Sequence, residues 1–233
     1  MYDYGKLVYL DLNKTGSKFI LSFFDACLKF DLLKEREHEP VRDNYSPDAF
    51  HLISIRHPYS QYSSLFRYGL DKKGLVYQRL CQSGHESLYS TTNFNVWLSF
   101  VLDFRNAKIL GEGYENLPKN LEIGFLSFRF LKLSLIYPFK FIELFKGFSD
   151  PVEVLQKMSI VDHVIKNENL NNDLNEFAVK VKPDFFYQEK LKTFFLNVKN
   201  VNVSSTKAEN LPDISDHNKK IIKEKEYLLM RYY

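Results

Sequence analysis

Three sets of residues in this 233-residue chain have the types and spacing to hold an anion and move a proton. The first is Asn13-Lys14-Thr15-Gly16-Ser17, with Lys18 next. It gathers an ammonium, hydroxyls and a glycine in one tight stretch. Where such a stretch opens a helix, unpaired main-chain N–H groups and a partial positive charge suit a phosphate. The second set is Arg56 with Ser64 about two helical turns beyond it. A guanidinium fork and a hydroxyl on two rigid elements can grip one phosphate from two directions. The third is His38, within Glu35-Arg36-Glu37-His38-Glu39-Pro40, where a neutral imidazole flanked by carboxylates can accept a proton near neutral pH. Glu37 and Glu39 are the alternative bases. Each set also has a plainer reading: a turn that only joins a strand to a helix, an arginine paired with a surface carboxylate, a solvated histidine. For the loop or Arg56 alone the plainer reading is the better one, and their occurrence together reverses that.

These groups need elements to position them. Residues 6–12 are apolar at Leu7, Val8, Tyr9, Leu10 and Leu12, as in a strand buried on both faces. From Ser17 the positions Phe19, Ile20, Phe23, Phe24, Cys27 and Leu28 fall at helical spacing, in a helix that ends near Asp31. Residues 50–56 form a second strand, stopped by His57-Pro58, and Pro58 suits the first position of a helix running to about Leu70. The repeated strand, turn and helix predict a parallel sheet with ligand groups at the C-terminal ends of its strands.

The rest of the chain is less legible between residues 71 and 120, where Tyr89 to Ala107 reads as a helix and 111–120 as turns. Between Phe125 and Lys146 the charged Arg129, Lys132, Lys140, Glu143 and Lys146 share one helical face, and Pro138 should divide the element. A core helix with a solvated charged face is the preferred account of it, with an acceptor wall or peripheral membrane contact as the alternative. Asp150 and Pro151 open a helix. Ile160 to Ile165 is a strand, Leu170 to Val181 a helix, and another helix follows Pro183 through Phe195. Residues 197–213 are a polar loop, and Ser215 to Tyr233 a closing helix.

A net charge of +3 suits an enzyme with an anionic ligand and falls well short of a nucleic-acid-coating protein. Two cysteines make no disulfide framework, and no His/Cys cluster has metal-ligand spacing, so no metal is expected. The first strand begins within a few residues of Met1 and charges interrupt the most apolar stretch, which predicts neither a signal peptide nor a spanning helix and a cytoplasmic location.

With these residues in view, the chain resembles the sulfotransferases that use 3′-phosphoadenosine-5′-phosphosulfate (PAPS), in their carbohydrate branch, Golgi-type and bacterial. Asn13-Lys-Thr-Gly-Ser17 is similar to that family's 5′-phosphosulfate loop, and Arg56-His-Pro-x-x-Gln-x-x-Ser64-x-Phe66 to its 3′-phosphate motif. Asp162-His-Val-Ile-Lys-Asn-Glu-Asn-Leu170 with Asp173, and the closing helix, are similar to later segments. The resemblance implies a single sulfotransferase-like domain over residues 1–233, of α/β class with a P-loop-NTPase-like three-layer fold, a central parallel sheet flanked by helices. It implies PAPS as donor, a carbohydrate acceptor and no metal. Lys14 would touch the 5′-phosphate and the bridging oxygen; the N–H groups of Thr15, Gly16 and Ser17, with the Thr15 and Ser17 hydroxyls, would hold the 5′-phosphate; Arg56 and Ser64 would fix the 3′-phosphate; His38 would be the base. Asn13, Lys18, His57 and Gln61 depart from the family pattern, and Lys18 could add charge for the phosphosulfate or point to solvent. A nucleoside-triphosphate kinase fits poorly, since no Gly precedes Gly16-Ser17 at the required spacing and no Lys separates them. A catalytically inactive nucleotide- or glycan-binding module remains the rival reading.

Overall fold

A computed structural model describes residues 1–118, 121, 123–136, 150–197 and 211–233. The chain is an α/β protein in two compact units whose segments alternate along the sequence. The first unit takes Met1–Arg56, Leu133–Ile136 and Ile160–Val203, and the second His57–Lys132, Tyr137–Ser159 and Ser204–Tyr233.

The first unit holds a five-stranded mixed sheet of order β3-β1-β2-β4-β5, with β1 at Tyr2–Asp3, β2 at Leu7–Leu10, β3 at Lys34–Glu35, β4 at Phe50–Ile55 and β5 at His163–Lys166. The strands β2, β4 and β5 run parallel, with Leu10 opposite Ile53 and Ile55 opposite Lys166. The expected strands over 6–12 and 50–56 are present, and β2 is buried along its whole length. The strand expected over 160–165 begins later, at His163. The short antiparallel strands β1 and β3 are additions that periodicity missed, because two residues carry no alternation to read. A turn at Gly5, in the left-handed region at φ 78°, folds β1 back onto β2.

Helix α1, Ser17–Cys27, lays Phe19, Ile20, Phe23, Phe24 and Cys27 against the sheet, as its spacing predicts, and stops at Leu28 rather than Asp31. Leu28 has turned to extended geometry and bridges to Phe186, which ends the helix early. The core beneath α1 is aromatic: Phe23 lies 5.2–5.9 Å, ring to ring, from Phe24, Phe186, Phe194 and Phe195. Edge-on and tilted pairs of this kind add to simple burial. Leu170–Glu176 continues as a wider turn over Phe177–Val181, which places Phe177 against Phe50 and the His163 ring.

In the second unit, helix α2 runs from Pro58 to Leu70, as read from the sequence. The helix expected over 89–107 is shorter, Phe94–Leu102, because Asp103 is extended and its side chain accepts from the Arg105 N–H to start a new turn. Asp150 caps Pro151–Met158 as expected, accepting from the Val152 N–H at 2.9 Å. The closing helix begins at Asp216 behind a Ser215 cap and breaks after Lys225. Glu226, fully buried, accepts from Ser127 N–H at 2.6 Å, from Leu126 N–H at 3.3 Å and from the Tyr62 hydroxyl of α2. It thereby closes the N-terminus of the helix Phe125–Ser134 and ties α2 to it.

The expectation of a solvated charged face on that helix is corrected. Arg129 is only 3% exposed, and its guanidinium stacks on the Phe125 ring at 4.2 Å and donates to Glu112. Lys132 and Arg79 lie 3.5 and 3.6 Å from the same carboxylate. A helical wheel cannot anticipate Glu112, which enters from the turn-rich segment and supplies the counter-charge that burial demands. Pro138, Lys140, Glu143 and Lys146 lie outside the described residues. Among the described residues no helix is long and apolar enough to cross a membrane.

Burial by itself would raise the Glu112 pKa, but Arg129, with Lys132 and Arg79, takes it down to about 2. A depressed folded pKa stabilises the fold above the ordinary carboxylate range, and that contribution is lost as pH falls toward 2. Glu112→Gln should therefore cost on the order of 3 kcal/mol at neutral pH and remove part of the acid limb of stability. Denaturant unfolding at pH 7 and pH 3 checks both, and an unchanged acid limb in the variant would contradict the pairing.

Candidate functional site

The candidate site lies in the first unit, at the edge where β2, β4 and β5 end together. Between β2 and α1 the chain turns through Asp11 to Gly16. Lys14 and Gly16 both have positive φ, 66° and 98°. The Gly16 conformation is one that side chains rarely adopt, and Gly16 also sits against β5's exit: a Cβ there would come within 2.7 Å of Asn167 Nδ2 and 3.0 Å of Leu170. A non-glycine residue held left-handed, as Lys14 is, costs about 1–3 kcal/mol, and such residues concentrate at functional sites.

The loop is pinned from the sheet. Thr15 is fully buried, and its hydroxyl donates to the Leu12 carbonyl at 2.6 Å. Ser54 Oγ of β4 lies 2.6 Å from Thr15 Oγ1 and 2.6 Å from the Tyr9 hydroxyl of β2. Each hydroxyl has one proton. With Thr15 giving its own to Leu12, Ser54 donates to Thr15 and Tyr9 to Ser54. Burial pushes the Tyr9 phenol well above its ordinary pKa, so it stays a donor. The Tyr9 hydroxyl also lies 3.3 Å from Ser17 Oγ, at the start of α1. The expectation that the Thr15 hydroxyl faces the 5′-phosphate is corrected: it is engaged inside the fold, and the Thr15 main-chain N–H is the group left to offer an anion. Ser17 is half-buried and Lys18 exposed, in the first turn of α1 where N–H groups have no intrahelical acceptor by position.

Arg56 follows the last residue of β4. Its Nη1 donates to the Lys14 carbonyl at 3.4 Å, which sets the guanidinium beside the loop. Lys166 ends β5 on the same edge, and its N–H donates to Asp173 at 2.8 Å. The strand ends therefore bring the Lys14 loop and Arg56 together. Ser64 lies half-buried on α2 in the second unit. Its pairing with Arg56 is an expectation from the sequence motif alone.

His38 is brought to the same strand end by Asp11. The His38 N–H donates to Asp11 Oδ1 at 3.0 Å, and His38 Nδ1 lies 2.9 Å from the Asp11 main-chain carbonyl and 2.8 Å from Oδ2. Asp11 is fully buried, while His38 remains about one-third exposed, with φ at 57°. Asp11 was not singled out in the sequence. The available signal was a carboxylate in an otherwise apolar run just before the loop. The other two strand histidines are packed, as expected. His51 is buried, and its N–H donates to Asp162 at 2.7 Å; His163 stacks on Phe177; burial lowers the pKa of both. Among the described residues no group of three or more His, Cys, Asp or Glu is placed to hold a metal ion.

Gly16→Ala should lower the melting temperature by about 2–8 °C, the shift expected for 1–2 kcal/mol in a domain of this size. Thermal unfolding checks it, and an unchanged melting temperature would mean that the loop is not held against Asn167. The chain matches no family profile, no curated protein and no solved structure, so the site is read from its own residues.

Proposed function

We propose that the chain is a PAPS-dependent sulfotransferase acting on a hydroxyl of a carbohydrate, in a glycan or glycolipid, and that its sheet is the centre of a P-loop-NTPase-like three-layer fold. The observation that supports this reading best is the arrangement of Lys14 and Arg56. They leave adjacent parallel strands at one edge, with the Arg56 guanidinium at the Lys14 carbonyl. Cationic groups at strand C-terminal ends, beside a helix N-terminus, suit a ligand with two separated phosphates.

The donor supplies the sulfonate and a phosphate leaving group. Lys14 would offset charge on that phosphate as the S–O bond breaks. The N–H groups of Thr15, Gly16 and Ser17, with the Ser17 hydroxyl, would hold the 5′-phosphate, and exposed Lys18 would add positive charge at its rim. Gly16 fits this role because its missing side chain lets the loop lie against Asn167. Arg56 would hold the 3′-phosphate with Ser64, making the nucleotide a rigid handle. His38 would take the proton of the acceptor hydroxyl.

Calorimetric titration with adenosine 3′,5′-bisphosphate, against 5′-AMP as control, tests the donor site. Binding should depend on the 3′-phosphate, and Arg56→Ala should weaken it about tenfold or more, ~1.4 kcal/mol. Lys14→Ala should abolish sulfonate transfer. Equal or absent binding of both nucleotides would overturn the proposal and favour a glycan- or partner-binding domain. Binding without turnover would identify an inactive nucleotide-binding module.

A further inference from the structure

We infer that Asp11 is a positioning residue for His38: it holds the imidazole in the tautomer protonated at Nδ1, so that Nε2 presents the lone pair. The inference rests on the sulfotransferase reading for its consequence, but the geometry behind it is independent of that reading.

Two oxygens of Asp11 face one ring nitrogen. The main-chain carbonyl, 2.9 Å from Nδ1, is the hydrogen-bond acceptor, and carboxylate Oδ2 flanks it at 2.8 Å. A neutral imidazole has one N–H and one lone pair. Placing the lone pair at Nδ1 would set it against two oxygen lone pairs, so the proton belongs at Nδ1 and the accepting site at Nε2. The same carboxylate also binds the His38 main chain, through Oδ1 and the N–H at 3.0 Å. Asp11 therefore holds the ring through its main-chain carbonyl, flanked by its carboxylate, and holds the His38 backbone through its fully buried side chain. The His38 φ of 57° lies in the left-handed region, uncommon for a residue with a side chain, and the bond to Asp11 helps to hold it there. Asp11 follows β2 and stands just before the Lys14 loop, so the base and the loop are oriented by one rigid strand.

In the transfer, the proton of the acceptor hydroxyl goes to His38 Nε2 while the hydroxyl oxygen forms a bond to sulfur. The bond from sulfur to the nucleotide phosphate breaks, and its electron pair leaves on the phosphate oxygen, beside Lys14. Asp11 Oδ2 and its main-chain carbonyl face the imidazolium, which then releases its proton to water.

Long-range proton–nitrogen NMR correlation of the imidazoles tests the inference, with the His38 signals assigned by their loss in His38→Asn. In the unsubstituted protein, with the ring neutral, Nδ1 should give the protonated-nitrogen shift and Nε2 the lone-pair shift. Asp11→Asn turns an amide NH2 toward Nδ1 or removes the acceptor for the His38 N–H. It should move the spectrum toward the opposite tautomer or a mixture, with adenosine 3′,5′-bisphosphate affinity within about twofold of the parent. Nε2–H in the parent protein, or an unmoved tautomer in a folded Asp11→Asn, would overturn the inference. If that variant does not fold, the parent spectrum decides. Loss of nucleotide binding in the parent would instead overturn the sulfotransferase reading and leave the tautomer result standing.

Discussion

The run of hydroxyls from Tyr9 through Ser54 and Thr15 to the Leu12 carbonyl is the constraint on which the candidate site depends. It exists because β2 and β4 are parallel neighbours in one register. Tyr9 is opposite Leu52, so Ser54, two residues further, lies on the same face and within reach of the Tyr9 hydroxyl. Thr15 completes the run from the loop, which is thereby anchored from within rather than by surface contacts. Buried hydroxyls of this kind must be satisfied, and here each satisfies the next. A consequence follows for binding. The one hydroxyl of the Lys-Thr-Gly stretch is committed to the fold, so an anion at this loop would meet main-chain N–H groups, Lys14 and Ser17.

Two buried carboxylates, Asp11 and Glu226, and the mostly buried Glu112 organise the rest, each through a different compensation. Asp11 pairs with the Met1 ammonium at 3.0 Å, accepts from the His38 main-chain N–H and stands against its imidazole. Glu112 gathers three cationic side chains and remains ionised far below its ordinary range. Glu226 accepts from N–H groups at a helix start and from a tyrosine, and burial raises its pKa. The difference is physical. Full positive charges outweigh desolvation at Glu112, whereas neutral donors do not at Glu226.

Much of the site was legible along the chain because its groups are local. Lys14 to Ser17 sit between one strand and one helix, and Arg56 directly follows another strand, so apolar spacing, Gly16 and Pro58 placed them without reference to distant segments. What stayed hidden depends on segments far apart in sequence. Asp11 meets His38 across 27 positions, and Thr15 meets Ser54 across 39. The charged face of Phe125–Ser134 was misread for the same reason, since its counter-charge comes from another element.

The sequence by itself determined the α/β alternation, the two strand–turn–helix units and the identity of the cationic loop residues, because periodicity and turn chemistry act over a few residues. Only the tertiary structure decided the register of β2 on β4, that the Thr15 hydroxyl turns inward, and that a buried aspartate holds the imidazole. Those outcomes depend on register and on charge compensation between segments that meet only when the chain has folded.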